Sequence, residues 1–499
     1  MLGFHKALTV VAALTGFGLS GSPAALAQNV TTYHKAANRN GLYVAPTLTA
    51  TIAKQVHLDT GFSSATLDGA VYGQPLYWAP PGGPASVIVA TENDSVYALD
   101  ANTGAQQWKT SLGTPVSASS LPCGNIDPLG VTGTPVIDAA KGTLYVAAEV
   151  ETANGPRHQV FGLSLATGKV APGWPVDIAT GLKTLKKSLD NLTQGERSAL
   201  ALVDGRIYVP FAGRYGDCTP YNGMVVSLSV SAPAVDDVWM TKEMAGGSWG
   251  LSGVAYDGTS MFVTTGNGVP SGSSALQKWG GSEAVVRLAP PLEFSTNPID
   301  YFAPSDWKTL DAQDLDLGGT SAIPIDVPVE GGAPDKRVLA LGKDGNAYLL
   351  HRGNLGGVGG QIVSRRVSHS EIVTAMATYP AATAAMVAFE NGSPVCPAGE
   401  SGNLSVLEIG AKAITPAWCA SFNGDGAPIV TTTDGKAQPI VWVVGSRGDG
   451  KLYGFNGNTG ALIVAAPGGP LGFAPRQTPI WANGRFYVAA NGAVYAFAY

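Results

Sequence analysis

The feature that most limits how this chain can fold is a unit repeated along it: a small or apolar strand, a Gly-containing turn, a β-branched and aromatic strand, a loop, and a further strand. The clearest copy spans residues 71–110. There Gln74-Pro75-Leu76-Tyr77 leads through a Pro-Gly-Gly turn to Ser86-Val87-Ile88-Val89-Ala90, then to Ser95-Val96-Tyr97-Ala98-Leu99-Asp100, and last to Gln107-Trp108-Lys109. Comparable units begin at Thr134, Ser198, Leu251, Thr320, Thr378, Ala427 and Gln477, which makes eight. One such unit cannot bury its own apolar faces, so neighbours must stack. The eighth supplies only three strands, ending in Ala493-Val494-Tyr495-Ala496-Phe497, and would leave an exposed edge. Gln55-Val56-His57-Leu58 belongs to no unit and is expected to close the ring. The predicted fold is all-β: a single eight-bladed β-propeller of four-stranded antiparallel blades over residues 28–499.

Composition agrees. Gly (65) and Pro (34) make up about a fifth of the chain against a usual ~12%, while only 13% of residues are charged, which excludes a coiled coil or helical bundle. Asp-Gly at 204–205, 257–258, 344–345, 434–435 and 449–450, and Asn-Gly at 483–484 and 491–492, are hairpin turns between alternating strands. The one helix-like stretch, Leu182 to Leu192, reads as an insertion before the third blade.

Residues 1–27 read as an export signal: Lys6 in a short polar start, an apolar run from Ala7 to Leu19, and Ala25-Leu26-Ala27 for cleavage near Ala27. The mature protein is then periplasmic or extracellular, with no tract long and apolar enough to span a membrane. A formal net charge of −6 argues against nucleic acid or an anionic membrane surface as partner.

Ala98-Leu99-Asp100-Ala101-Asn102-Thr103-Gly104-Ala105-Gln106-Gln107-Trp108 resembles the tryptophan-docking repeat of quinoprotein alcohol dehydrogenase-like propellers. Partial copies stand at Gly162 to Gly168 and Gly454 to Gly460, and Trp239 and Trp418 fall where an outer-strand Trp belongs. Beyond that, Thr91-Glu92-Asn93-Asp94, Gly133-Thr134-Pro135-Val136, Thr265-Gly266-Asn267-Gly268, Leu315-Asp316-Leu317-Gly318 and Gly342-Lys343-Asp344-Gly345 are similar to exported proteins described as carrying pyrroloquinoline quinone-like propeller repeats. The resemblance implies this fold and, as cofactor, pyrroloquinoline quinone with calcium. Two features of the catalytic quinoproteins are absent: no two cysteines are adjacent, and there is no Cys-x-x-Cys-His haem site.

In a four-stranded blade, the loop into the innermost strand and the loop between the second and third strands lie on one face. On that face fall the long segments Glu151 to His158, Gly213 to Asn222, Asn267 to Gly281 and Asn391 to Asn403, so function is expected there. Of the three pairings four cysteines allow, this map favours Cys123 with Cys218 and Cys396 with Cys419. Polar residues where innermost strands begin would ring the tunnel: Gln74, Thr132, Arg197, Ser252, Asp316, Asp425 and Arg476, with Trp249 as an aromatic surface. Arg197 and Arg476 could hold an acidic ligand or quinone carboxylates, and Trp249 could stack on a flat ring. Asp311, Asp314 and Asp316 form a short acidic cluster that suits turn capping better than calcium. The histidines show no metal-ligand spacing.

Intact scaffold signals beside an absent catalytic signature point first to a ligand-binding or interaction module, its loop-rich face engaging a small polar molecule, carbohydrate or protein. Two alternatives stay open: a quinone-dependent alcohol or sugar dehydrogenase, and a propeller-fold hydrolase or lyase.

Overall fold

A computed structural model describes residues 29–269 and 278–499; the expected export signal lies outside them. Eight small antiparallel sheets follow one another in chain order around a ring. The first has strands Leu76–Trp78, Ser86–Ala90, Ser95–Asp100 and Gln106–Ser111, the four expected of that repeat. The eighth has Ile480–Ala482, Arg485–Ala490 and Ala493–Ala498, and its outer edge is closed by His57–Leu58, with His57 opposite Ala498. Because first and last elements share one sheet, the ring has no free edge at its seam.

Apolar side chains fill the wedges between neighbouring blades, as with Val136, Val160, Leu200, Val209 and Val226 between the second and third. Tryptophans of the repeat add directional bonds across the same joints. Trp108 donates its indole N–H to the Leu165 carbonyl of the next blade (2.9 Å), and Trp418 to that of Gly457 (2.7 Å). The repeat's glycine is explained by the same contact. Gly460, at φ +70°, lies flat on the Trp418 ring, where any side chain would strike the indole and the left-handed backbone would be strained.

Two expectations need correction. Glu151 to His158 is a tight hairpin rather than a long loop, because Thr143–Thr152 and Gly155–Ser164 pair along their whole length. The helix before the third blade is Ile178–Thr184, earlier than Leu182 to Leu192: Asp177 caps its N-terminus through the Thr180 N–H, and Leu182 packs inward.

The larger surprise is the segment before the ring-closing strand. Residues 30–44 enter the tunnel and bond to the inner strands one after another. Val30 exchanges both backbone hydrogen bonds with Tyr77; the N–H groups of Ile137, Tyr256, Thr378 and Val430 donate to the carbonyls of Thr31, Ala37, Asn40 and Gly41. Leu42–Val44 then adds in parallel to Ile429–Thr432. At the centre Arg39, fully buried, donates to the carbonyls of Val254 (2.9 Å), Leu200 (3.0 Å) and Tyr33 (3.2 Å) and to the Thr32 hydroxyl. His34 beside it is pushed by burial to a pKa of about 3, so its imidazole is neutral. The plug therefore ties six of the eight blades together through their inner strands.

Carboxyl groups buried beside the first three blades give stability a pH dependence. Burial first, then the charges of Glu92 and Glu149, push Asp94 up to about 8; burial pushes Glu92 up to about 7 against the N–H of Gly130 and the Thr132 hydroxyl. Neither Asp94 oxygen has a hydrogen-bond partner. Between about pH 4, where the unfolded acids titrate, and pH 7 to 8, the folded chain holds protons that the unfolded chain has released. Stability is thus full below that window, falls as pH rises through it, and levels off above. The melting temperature should be higher at pH 5.5 than at pH 8.5, and Asp94→Asn should shrink that difference; thermal unfolding followed by circular dichroism across this range checks it.

Candidate functional site

Above the plug, on the loop-rich face, lies a cavity of about 590 Å³. Its wall is built mostly where inner strands begin and from the loops of the second and third blades. Gln74, Thr132, Arg197, Trp249, Asp316 and Arg476 all line it. Ser252 and Asp425 do not: Ser252 is buried behind the wall, and Asp425 is paired with Arg447 (2.6 Å).

Two cations lie over the Trp249 ring, the Arg197 guanidinium and the Lys343 ammonium, each 5.2 Å from the ring centroid. Lys343 also reaches Asp316 Oδ2 (2.6 Å) and Asp314 Oδ1 (3.2 Å). Burial alone would lower the Lys343 pKa, but the Asp316 carboxylate outweighs it and holds the ammonium charged. Asp316 accepts the Asn267 N–H through Oδ1 (2.5 Å), and burial raises its pKa against these partners. Gly266 lets this happen, since a side chain there would collide with the Asp316 carboxylate.

Arg197 and Arg476 are placed differently. Burial is the main influence on both and lowers their pKa, opposed by Asp217 at Arg197 and by Asp425 at Arg476. Among the described residues neither makes an ion pair, and the Arg197 Nε has no hydrogen-bond partner. Four cationic residues line the cavity, of which Arg214 is paired with Glu149 and Lys343 with Asp316.

Gln74 is engaged by the plug: its Oε1 accepts the His34 N–H (2.9 Å) and its Nε2 donates to the Thr32 carbonyl (3.3 Å). It holds up the cavity floor. The acidic cluster is divided among separate tasks, Asp311 accepting the Gly268 N–H (2.6 Å), Asp314 ending the helix Trp307–Gln313, and Asp316 pairing with Lys343. Both disulfides join the expected cysteines. Cys123–Cys218 staples two loops whose residues Asn125, Ile126, Gly216 and Asp217 form part of the cavity rim.

Lys343, Asn267 and Tyr33 line the cavity and were not picked out from the sequence. Lys343 and Asn267 sit in Gly-Lys-Asp-Gly and Gly-Asn-Gly phrases that read as turns; a long side chain at the tip of a second-to-third-strand turn was the signal to follow.

No protein-family model matches the sequence, and no curated protein matches it. Solved structures do. The chain superposes over 94% of its length on the quinohemoprotein alcohol dehydrogenase of Comamonas testosteroni, covering 80% of that chain at 15% identity and a TM-score of 0.63. The quinohemoprotein alcohol dehydrogenase ADHIIG of Pseudomonas putida HK5 gives 0.64 at 14% identity, with 94% and 80% covered. A europium-containing methanol dehydrogenase gives 0.62 at 14% identity, with 94% and 98% covered. The fold is an eight-bladed propeller like theirs. At these identities the likeness is one of fold alone, and the chemistry of this chain must be argued from its own residues.

Proposed function

We propose that this protein binds a planar, polyanionic small molecule of the pyrroloquinoline quinone class at its loop-rich face and uses it to oxidise an alcohol or sugar. The observation that carries this is Arg197 and Lys343 over the Trp249 ring with Arg476 lining the same cavity, both arginines free of ion pairs among the described residues. A flat aromatic wall suits a fused ring, and unpaired guanidinium groups suit carboxylates through charge-assisted, bidentate bonds. The two disulfides suit an oxidising, exported setting.

The residues do not fit calcium. Asp316 is neutralised by Lys343, Arg197 brings positive charge into the same space, and no metal-holding group of three or more His, Cys, Asp or Glu side chains converges among the described residues. A bound quinone supplies the two-electron acceptor for a hydride leaving the substrate carbon. Asp316 is the cavity carboxylate suited to take the hydroxyl proton: its raised pKa makes it a better base, and each oxygen keeps a lone pair beyond its present bond. Lys343 keeps that carboxylate ionised until the proton arrives.

Absorbance titration of the purified mature chain with pyrroloquinoline quinone, followed by dye reduction with alcohols and sugars, tests this. Saturable binding is expected, with turnover that Asp316→Asn abolishes while binding persists. Absence of binding would refute the proposal and return the loop-rich face to the role of an interaction module.

A further inference from the structure

The plug does more than fill the tunnel. Among its residues Tyr33 lines the cavity, so the chain's own N-terminal segment forms the floor of the site. The inner strands make room for that ring with small residues: Tyr33 packs on Ala199, Ala375 and Ala427, from the third, sixth and seventh blades. On one side it is backed by the neutral His34 imidazole, stacked at 4.4 Å with 20° between planes. His34 is itself held through its N–H by Gln74 Oε1 and through Nδ1 by the Arg39 carbonyl (3.3 Å). The floor is therefore fixed in position before any ligand arrives.

Its hydroxyl is one of two phenols in the segment without a hydrogen-bond partner, the other being Tyr43, and of the two only Tyr33 lines the cavity. Tyr33 is 4% exposed, and its Oη has no hydrogen-bond partner, whereas the Tyr33 carbonyl, the Thr32 hydroxyl and the Arg39 guanidinium beside it are all bonded. A buried phenol normally finds a partner, and one left without is destabilising. The segment also carries three non-glycine residues in the left-handed region, His34 (φ 53°), Lys35 (67°) and Arg39 (61°), a backbone that persists only where its surroundings impose it. We propose that Tyr33 is a ligand-positioning residue, donating its hydroxyl to an oxygen at the buried end of the molecule bound in the cavity, so that occupancy of the site and docking of residues 30–44 reinforce each other. This rests on the quinone reading of the cavity.

The test uses Tyr33→Phe in the full mature chain with pyrroloquinoline quinone as the probe. Quinone binding should weaken by about tenfold, one charge-assisted or buried hydrogen bond's worth, while the melting temperature of the free protein stays the same or rises slightly, because no bond is lost there. Hydrogen exchange gives the second readout: quinone should slow the amides of residues 30–44 in the wild type and do so less in Tyr33→Phe. Equal affinities for wild type and variant would overturn the role of Tyr33 and leave the quinone site standing. A lower melting temperature for the free variant would mark the hydroxyl as structural and overturn the role as well. If the wild type itself fails to bind quinone, the reading of the cavity falls and this inference with it.

Discussion

Arg197→Ala and Arg476→Ala are each expected to weaken quinone binding by about 10- to 100-fold, the largest effect on affinity of any single substitution in the cavity. A hydrogen bond to a charged group is worth about 1.5–3 kcal/mol, and each 1.4 kcal/mol is tenfold in affinity. These arginines should reach that range because, among the described residues, neither is held in an ion pair, so their N–H groups are available to a ligand. Lys343→Ala makes the contrast. It removes a cation that already serves Asp316, so quinone affinity should change less while turnover collapses. Isothermal titration of the variants with pyrroloquinoline quinone separates the cases. Wild-type affinity in both arginine variants would dismiss the anion-binding interpretation.

The largest effect on stability is expected at Trp418→Ala, a loss of about 3–5 kcal/mol from removing a buried aromatic. Trp418 is 1% exposed, fills the joint between the sixth and seventh blades, and donates to the Gly457 carbonyl. Trp418→Phe should cost only about 1 kcal/mol, since the ring is mostly kept and Tyr379 Oη also donates to that carbonyl, at 2.5 Å. Urea unfolding monitored by fluorescence and circular dichroism measures both. A Trp418→Ala loss within 1 kcal/mol of zero would mean that the wedge collapses to fill the space, and that Trp docking contributes little here.

Legibility of this protein followed the range of the interactions involved. Alternating strands, repeated eight times, with Asp-Gly and Asn-Gly turns and a few copies of the Trp-Gly repeat, are local signals, and they sufficed for the propeller and its blade count. The ring-closing His57–Leu58 was also readable, because an unpaired edge demands a strand from elsewhere in the chain. Arg197, Trp249, Asp316 and Arg476 could be nominated because strand position alone tells which residues face the tunnel mouth.

What escaped were contacts with distant partners that no unpaired edge or cysteine announces. Residues 30–41 carry no strand pattern, since their backbone groups bond to one blade after another and no periodicity results. Lys343 looked like a turn residue until Asp316 and Trp249, 27 and 94 positions away in the chain, were brought to it. By itself the sequence determined the propeller, its closure and the face where loops gather, because strand period and turn chemistry are written within a few residues. Only the tertiary structure decided that the tunnel is filled by the chain's own N-terminal segment, that Gln74 serves this plug, and that among the described residues Arg197 and Arg476 make no ion pair. Those are matters of which charges and carbonyls meet across the ring, and such pairings are set by the closure of all eight blades together.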